Sequence, residues 1–246
     1  DSGRVKENRR DEVKETPALV ECWVSRASAQ QRRGRAGRVQ PGIAYHLFSS
    51  HTFDSELKDY QLPEISRVGI EELVLQVLVL DLGQPSAFLG KALTPPTAAA
   101  MKNALKLLEE LGAVECDLQA VVEDSKTCAS LTDTTTQLTA LGFHLATLPV
   151  EPRIGKLIIY GALFLCVDPA LTIAASMASK SPFLSPFDNR EAANESRKAF
   201  SIDDSDHLTI VTAFKKWREL RIRKGDGAAS RFARENFLSR IALFQI

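Results

Sequence analysis

A chain of 246 residues can fold as one large domain or as two to three small ones, and 44% apolar with 25% charged residues is the make-up of an ordinary soluble globular protein. The longest apolar stretch, Leu157 to Val167, is too short to cross a bilayer, no signal peptide is visible, and Cys22, Cys116, Cys128 and Cys166 form no C-x-x-C pair. These features exclude a membrane span and a disulfide or zinc framework, and they fit reduced thiols in an intracellular protein. Net charge is zero, but residues 1–40 hold ten Lys and Arg against six Asp and Glu, so nucleic-acid binding stays open.

The opening Asp1-Ser2-Gly3 reads as the end of a strand, with no initiating Met, and the chain is expected to be a piece of a longer protein. Residues 4–24 predict a β-hairpin: Arg4 to Glu7, a polar turn through Asn8 to Thr16, and a half-buried second arm over Leu19 to Val24.

Residues 25–38 carry five arginines (Arg26, Arg32, Arg33, Arg35, Arg38) and no acid. With Ser28 as N-cap, the spacing predicts a helix over 28–37. Gln31, Arg35 and Arg38 then stand at i, i+4 and i+7 on one face. That face offers one amide and two guanidiniums, and guanidinium is planar, permanently charged and suited to bidentate phosphate recognition. Gly34 and Gly37 each weaken a helix interior by about 1 kcal/mol relative to Ala, which makes sense where a backbone or a phosphate must come close. Pro41-Gly42 ends the element. An arbitrary Arg-rich run is more often an exposed basic face, a localisation signal or an RNA-binding arm; here the ordering Q-R-x-G-R-A-G-R over Gln31 to Arg38 argues otherwise.

Ile43 to Phe48 predicts a buried strand, in which His46 is a satisfied strand histidine rather than a catalytic one. Leu62-Pro63-Glu64-Ile65 marks a domain boundary. Over residues 66–82, Ile70, Leu73, Val74, Val77, Leu78 and Leu80 approximate helical spacing, with Gly83 at C′. Pro96 opens the next helix, whose inner face is Met101, Ala104, Leu105, Leu108 and Leu111, and Gly112 closes it. Short β-prone pieces around a polar insert, Glu123 to Thr136, complete the pattern of a winged helix with a long wing. Its Leu- and Ala-rich helix has few cations, which argues against groove reading.

From Phe143 the chain reads mostly helical. One helix carries Ile154, Leu157, Ile158, Gly161, Ala162 and Leu165. Asp168-Pro169 supplies an N-cap and a proline at N1 for another, Ala170 to Ala178, apolar all round and so expected to be buried. A loop with two Ser-Pro-Phe triplets leads to an exposed helix, Glu191 to Phe200. A longer helix runs from Ser205 through Arg223, then a loop over Lys224 to Ala228, then a last helix from Arg231 to Ile246. Asp203-Asp204-Ser205-Asp206 has too few regularly placed oxygen donors for a Ca²⁺ loop, and no metal site is expected. Asp206 and His207 read as capping residues, and Phe214 and Trp217 as buried rather than stacked on bases. Arg231, Arg234, Asn236 and Arg240 are the residues here best suited to face RNA.

The run Gln31 to Arg38 resembles motif VI of the DEAH-box/RNA-helicase-A-like branch of superfamily 2 helicases, matching every fixed position. Asp1-Ser2-Gly3, Pro63-Glu64-Ile65-Ser66-Arg67, Leu148-Pro149-Val150 with Ile154-Gly155-Lys156, Lys180-Ser181-Pro182-Phe183 and Ser205 to Thr209 are similar to further segments of that family. The resemblance implies three parts: residues 1–64 as the end of a second RecA-like α/β lobe with its β-hairpin and motif VI, 65–142 as a winged-helix domain, and 143–246 as a mostly α-helical ratchet. It implies an ATP-dependent RNA helicase coupling hydrolysis to 3′-to-5′ movement. ATP and Mg²⁺ would be bound mainly by a first lobe. Gln31 would orient the attacking water, and Arg35 and Arg38 would be arginine fingers that neutralise charge on the transferred phosphoryl. Arg32 and Arg33 read as structural or solvent-facing.

Expected partners are RNA, single-stranded or structured, along its sugar-phosphate backbone by Arg234, Asn236 and Arg240, together with an adaptor protein or a ribosome-associated partner. No membrane is expected as partner, and the compartment is expected to be cytoplasmic, with nuclear as the alternative. No G-x-x-x-x-G-K-[ST] loop occurs in these residues, so they alone are expected to lack ATPase activity. The alternatives are a catalytically inactive helicase-like scaffold that binds RNA or protein, and a DNA-directed motor.

Overall fold

The computed structural model describes residues 1–10, 17–116 and 135–246. Backbone contacts divide the chain into two units, Asp1–Phe143 and His144–Ile246.

In the first unit, strands β1 (Arg4–Arg10) and β2 (Pro17–Trp23) form an antiparallel hairpin with Arg4 opposite Trp23. The expected turn lies partly outside the described residues. The second arm is not evenly half-buried: Leu19 and Val20 are exposed, and burial deepens only toward Val24. Val24 packs with Ala29 and Leu57 over Val5, Trp23, Phe48 and Phe53. This small core seats helix α1 (Arg26–Arg35).

Ile43 to Phe48 is not a strand. A ladder needs a neighbouring strand, and among the described residues the segment's backbone bonds only Asp1: Asp1 N donates to Tyr45 O at 2.7 Å and Leu47 N to Asp1 O at 2.9 Å. Its exposure alternates all the same, with Ile43, Tyr45 and Leu47 exposed and Ala44, His46 and Phe48 half-buried. His46 is therefore no satisfied strand histidine; among the described residues its buried Nδ1 has no hydrogen-bond partner, and it lies 3.8 Å from Asp1 Oδ2.

Over the span expected to be a winged helix, the unit holds α2 (Glu71–Val79), α3 (Pro85–Leu89), α4 (Ala98–Glu110) and the hairpin β3 (Val114–Cys116) with β4 (Thr136–Leu138). Helix α2 is shorter than its apolar spacing predicts. Leu80 is its C-cap and is exposed; Asp81, not Gly83, holds the position after the cap, and both Asp81 and Gly83 have positive φ, at 52° and 97°. Helix α4 starts at Thr97, whose hydroxyl accepts from Ala100 N, rather than at Pro96. Its face of Met101, Ala104, Leu105 and Leu108 is fully buried, with each large side chain worth about 1.5–3 kcal/mol. Leu111 is the C-cap and only half-buried. The wing tip, 117–134, lies outside the described residues. Helix α5 (Ala140–Thr147) carries the chain onward.

In the second unit, α6 (Pro152–Leu163) lies against α7 (Val167–Ala178), and α7 against the long α9 (Asp206–Glu235). Gly161 allows the first contact, because a Cβ there would overlap the Ala170 side chain. Helix α6 stops at Leu163, and Leu165 is left-handed. Helix α7 begins one turn earlier than expected: Cys166 is its N-cap, and Asp168 sits in the first turn. It is also not buried all round. Ala170, Thr172, Ala174 and Ser176 are buried, whereas Leu171 and Met177 are about half exposed. Helix α8 (Arg190–Lys198) is exposed except at buried Ala193 and half-buried Ser196.

Ser205 caps α9 through its hydroxyl, and Asp206 pairs instead with Arg197 at 2.8 Å. The expected loop over 224–228 shrinks to Gly225, which breaks α9 at φ 78° and ψ 176°. The expected last helix is interrupted: α9 ends at Glu235, a turn follows with Phe237 left-handed, and α10 is Arg240–Gln245. Phe200, Phe214, Trp217, Leu238 and Leu243 form the core beneath α9, so Phe214 and Trp217 are buried as expected.

Candidate functional site

Helix α1 begins three residues before the expected start. Ser25, not Ser28, is its N-cap; the Ser25 hydroxyl accepts from Ser28 N at 3.1 Å. The reason is tertiary: Arg26 N donates to Lys58 O at 2.8 Å and Ala27 N to Asp59 O at 3.1 Å, so the first-turn amides are satisfied at this start. A phosphate therefore cannot be met by these N-terminal amides. Side chains farther along the helix must do it.

The five arginines divide into two groups. Arg26 is held in place: Nε donates to Phe53 O at 2.9 Å, Nη1 to Asp59 Oδ1 at 2.9 Å and Nη2 to Asp54 O. Arg32 Nη1 donates to Asp1 Oδ1 at 3.0 Å and Arg4 O at 3.3 Å. Arg33, Arg35 and Arg38 are exposed and make no side-chain hydrogen bond or ion pair among the described residues. Gln31 is exposed as well and lines a cleft of about 200 Å³ with Ser28, Arg32 and Gln61.

The expected single helical face is only partly formed. Gln31 and Arg35 are one turn apart on α1, but the helix closes at Arg35 with Ala36 as C-cap, so Arg38 lies beyond it. Basic residues Arg32, Arg33 and Arg35 occupy the last turn, where the helix dipole favours cations. Gly34 and Gly37 face open space: no atom comes within 4 Å of where a Cβ would be. The close backbone approach occurs at Gly42 instead, where a Cβ would overlap the Ala36 carbonyl.

Residues 104–150 match the family described as Helicase associated domain (HA2), winged-helix, and residues 151–210 match Helicase associated domain (HA2), ratchet-like. The chain is 42% identical over all 246 residues to ATP-dependent RNA helicase DHX29 of Homo sapiens, covering 17% of that protein. It is 46% identical over 224 residues, 91% of its length, to ATP-dependent DNA/RNA helicase DHX36 of Bos taurus, covering 20% of it. It is 42% identical over 244 residues, 99% of its length, to DExH-box ATP-dependent RNA helicase DExH1 of Arabidopsis thaliana, covering 22% of it. The chain belongs to the DEAH-box/RNA-helicase-A-like helicases. It spans about a fifth of the length of these relatives.

The other residues singled out in this DEAH-box chain lie in the second unit. Arg234 is exposed in the last turn of α9, and Arg240 is exposed at the start of α10 with its guanidinium 5.5 Å from the Phe244 ring centre. Asn236 is not offered outward. Its Nδ2 donates to Phe232 O at 2.8 Å, and its Oδ1 accepts from Ser196 Oγ at 3.3 Å. Sequence reasoning missed the anchoring role of Arg26 and, having left Arg32 as structural or solvent-facing, did not find its partner. Their carboxylate partners stand 33 and 31 residues away, and no local pattern marks such pairs. Among the described residues no group of His, Cys, Asp or Glu could hold a metal ion, and no helix is long and apolar enough to cross a membrane.

Proposed function

We propose that this chain is part of an ATP-dependent RNA helicase, with residues 1–64 forming the end of a RecA-like lobe that supplies arginine fingers to ATP. One observation carries the reading: within a single arginine-rich segment, Arg26 and Arg32 are consumed by internal contacts while Gln31, Arg35 and Arg38 remain exposed and unengaged among the described residues. Free guanidiniums beside a helix C-terminus fit a polyphosphate substrate. Over 43–48 apolar side chains alternate between exposed and half-buried, the pattern of a segment that a neighbouring part of a larger lobe would cover.

In this reading Arg35 and Arg38 stabilise charge that develops on the γ-phosphoryl, and the Gln31 amide orients the attacking water. Fingers of this kind contribute roughly 10³ to 10⁵ in rate in GTPases. Arg35 stands on the helix and is fixed with it; Arg38, beyond the helix end, is brought to its place as the nucleotide site closes. Mg²⁺ would neutralise phosphate charge from ligands other than these residues. RNA lies along the helical second unit, with Arg234 and Arg240 on its phosphates, a mode that confers affinity and salt dependence. Movement is 3′ to 5′ and the compartment is cytoplasmic, with an adaptor or ribosome-associated protein as partner.

The test is RNA-stimulated ATP turnover by the intact protein, wild type against Arg38→Ala. A fall of about a hundredfold or more in kcat with RNA affinity intact is expected. Equal turnover would overturn the finger assignment, and absence of turnover in the wild type would favour an inactive scaffold.

A further inference from the structure

The contact between Arg32 and Asp1 ties the arginine-bearing helix to the start of the hairpin. Asp1 is clamped from four sides. Its backbone brackets Tyr45 and Leu47, its Oδ1 accepts from Gly3 N at 3.0 Å and from Arg32 Nη1 at 3.0 Å, and its Oδ2 faces His46 Nδ1 at 3.8 Å. Arg32 also reaches the carbonyl of Arg4 at 3.3 Å. It follows Gln31 directly and precedes Arg35 by three residues, so it lies on the stretch of helix that carries both. At the other end of α1, Arg26 grips Phe53, Asp54 and Asp59. Ala29 in the core and the first-turn amides add to this hold, but all of these contacts lie in the N-terminal half of the helix, so its C-terminal half could still swing without Arg32. The second anchor removes that freedom.

We infer that Arg32 is a positioning residue for phosphoryl transfer, acting through Asp1 and the Arg4 carbonyl to hold Gln31 and Arg35 in register with the nucleotide. The inference rests on the finger reading above. Arg32 does not touch the nucleotide. Its charge is spent on Asp1, and its effect reaches the reaction through the orientation of α1. A displacement of about 1 Å at reacting groups can cost on the order of a hundredfold in rate.

The experiment uses the intact protein and four variants: Arg32→Ala, Arg32→Lys, Asp1→Asn and, as reference, Arg38→Ala. ATP turnover with saturating RNA is measured beside binding of ADP and of ADP–aluminium fluoride, a mimic of the transferring phosphoryl. Arg32→Ala is expected to lower kcat by about ten- to a hundredfold. KM for ATP and the affinity and stoichiometry for ADP should stay within about twofold, and ADP–aluminium fluoride affinity should fall in step with kcat. Undiminished ADP stoichiometry separates this from misfolding. Arg32→Lys keeps a cation within reach of Asp1 and should recover most of the loss. Asp1→Asn keeps an acceptor for Gly3 N but removes the charge, and should fall in the same direction as Arg32→Ala.

If Arg38→Ala abolishes turnover while Arg32→Ala and Asp1→Asn keep wild-type kcat and wild-type affinity for the mimic, the positioning role is wrong and the fingers stand. If Arg38→Ala changes nothing, the finger reading and the positioning role fall together.

Discussion

Arg218 on α9 grips Asp168 in the first turn of α7 with both terminal nitrogens, at 2.9 and 3.4 Å. The carboxylate sits at the positive end of α7 while the fork reaches it from the neighbouring helix, so one contact serves the helix dipole and the packing of α7 on α9.

The hydrogen bond from Arg218, aided by its charge and opposed by partial burial, holds the Asp168 carboxyl below its usual range. The guanidinium is pushed up in turn, chiefly by the same hydrogen bond. A folded pKa below the unfolded one means that the stabilisation is complete at neutral pH and is lost as pH falls below about 4. Both side chains are about half exposed, so the pair contributes no more than about 1 kcal/mol. The stability gap between wild type and Asp168→Asn, measured by urea unfolding, should be present at pH 7 and close in acid. A gap that widens in acid would contradict this assignment.

Arg26→Ala should loosen the seat of α1. It removes the Asp59 ion pair and donors to the carbonyls of Phe53 and Asp54, while Ser25 still caps the helix. The expected loss is about 1–2 kcal/mol in thermal unfolding of the first unit, with Arg26→Lys recovering only part of it, since an ammonium cannot span three acceptors in a fork.

Gly161→Ala sets two effects against each other. Alanine gains about 1 kcal/mol in helix propensity over glycine, but its methyl would overlap Ala170 on α7, and overpacking costs about 1–3 kcal/mol. The clash should win, giving net destabilisation in chemical unfolding. Ala170→Gly in the same chain should relieve part of it.

Helices with one strongly apolar face are legible in the amino-acid sequence itself. Met101, Ala104, Leu105 and Leu108 announce α4 and its buried side, and Phe214 and Trp217 their place in a core. Residues whose roles depend on distant backbone are not legible in this way. Ser25 and Ser28 are equally good caps in sequence, and the carbonyls of Lys58 and Asp59 decide between them. Cys166 rather than Asp168 ends up capping α7, while the carboxylate turns to Arg218. The segment 43–48 has a strand's composition, and whether it pairs depends on what lies beside it. Within the arginine-rich run, sequence singles out Gln31, Arg35 and Arg38, and geometry adds what engages Arg26 and Arg32: Asp59, Asp1 and backbone carbonyls far away in the chain.

The exposed side of 43–48 bears on how the protein behaves in the tube. Ile43, Tyr45 and Leu47 are 76%, 74% and 81% exposed. With equal numbers of acidic and basic residues, the chain has no net charge to keep molecules apart near neutral pH. An exposed apolar patch without colloidal repulsion favours self-association at high concentration. Moderately alkaline buffer should keep the chain dispersed better than added salt, because salt screens what little repulsion there is.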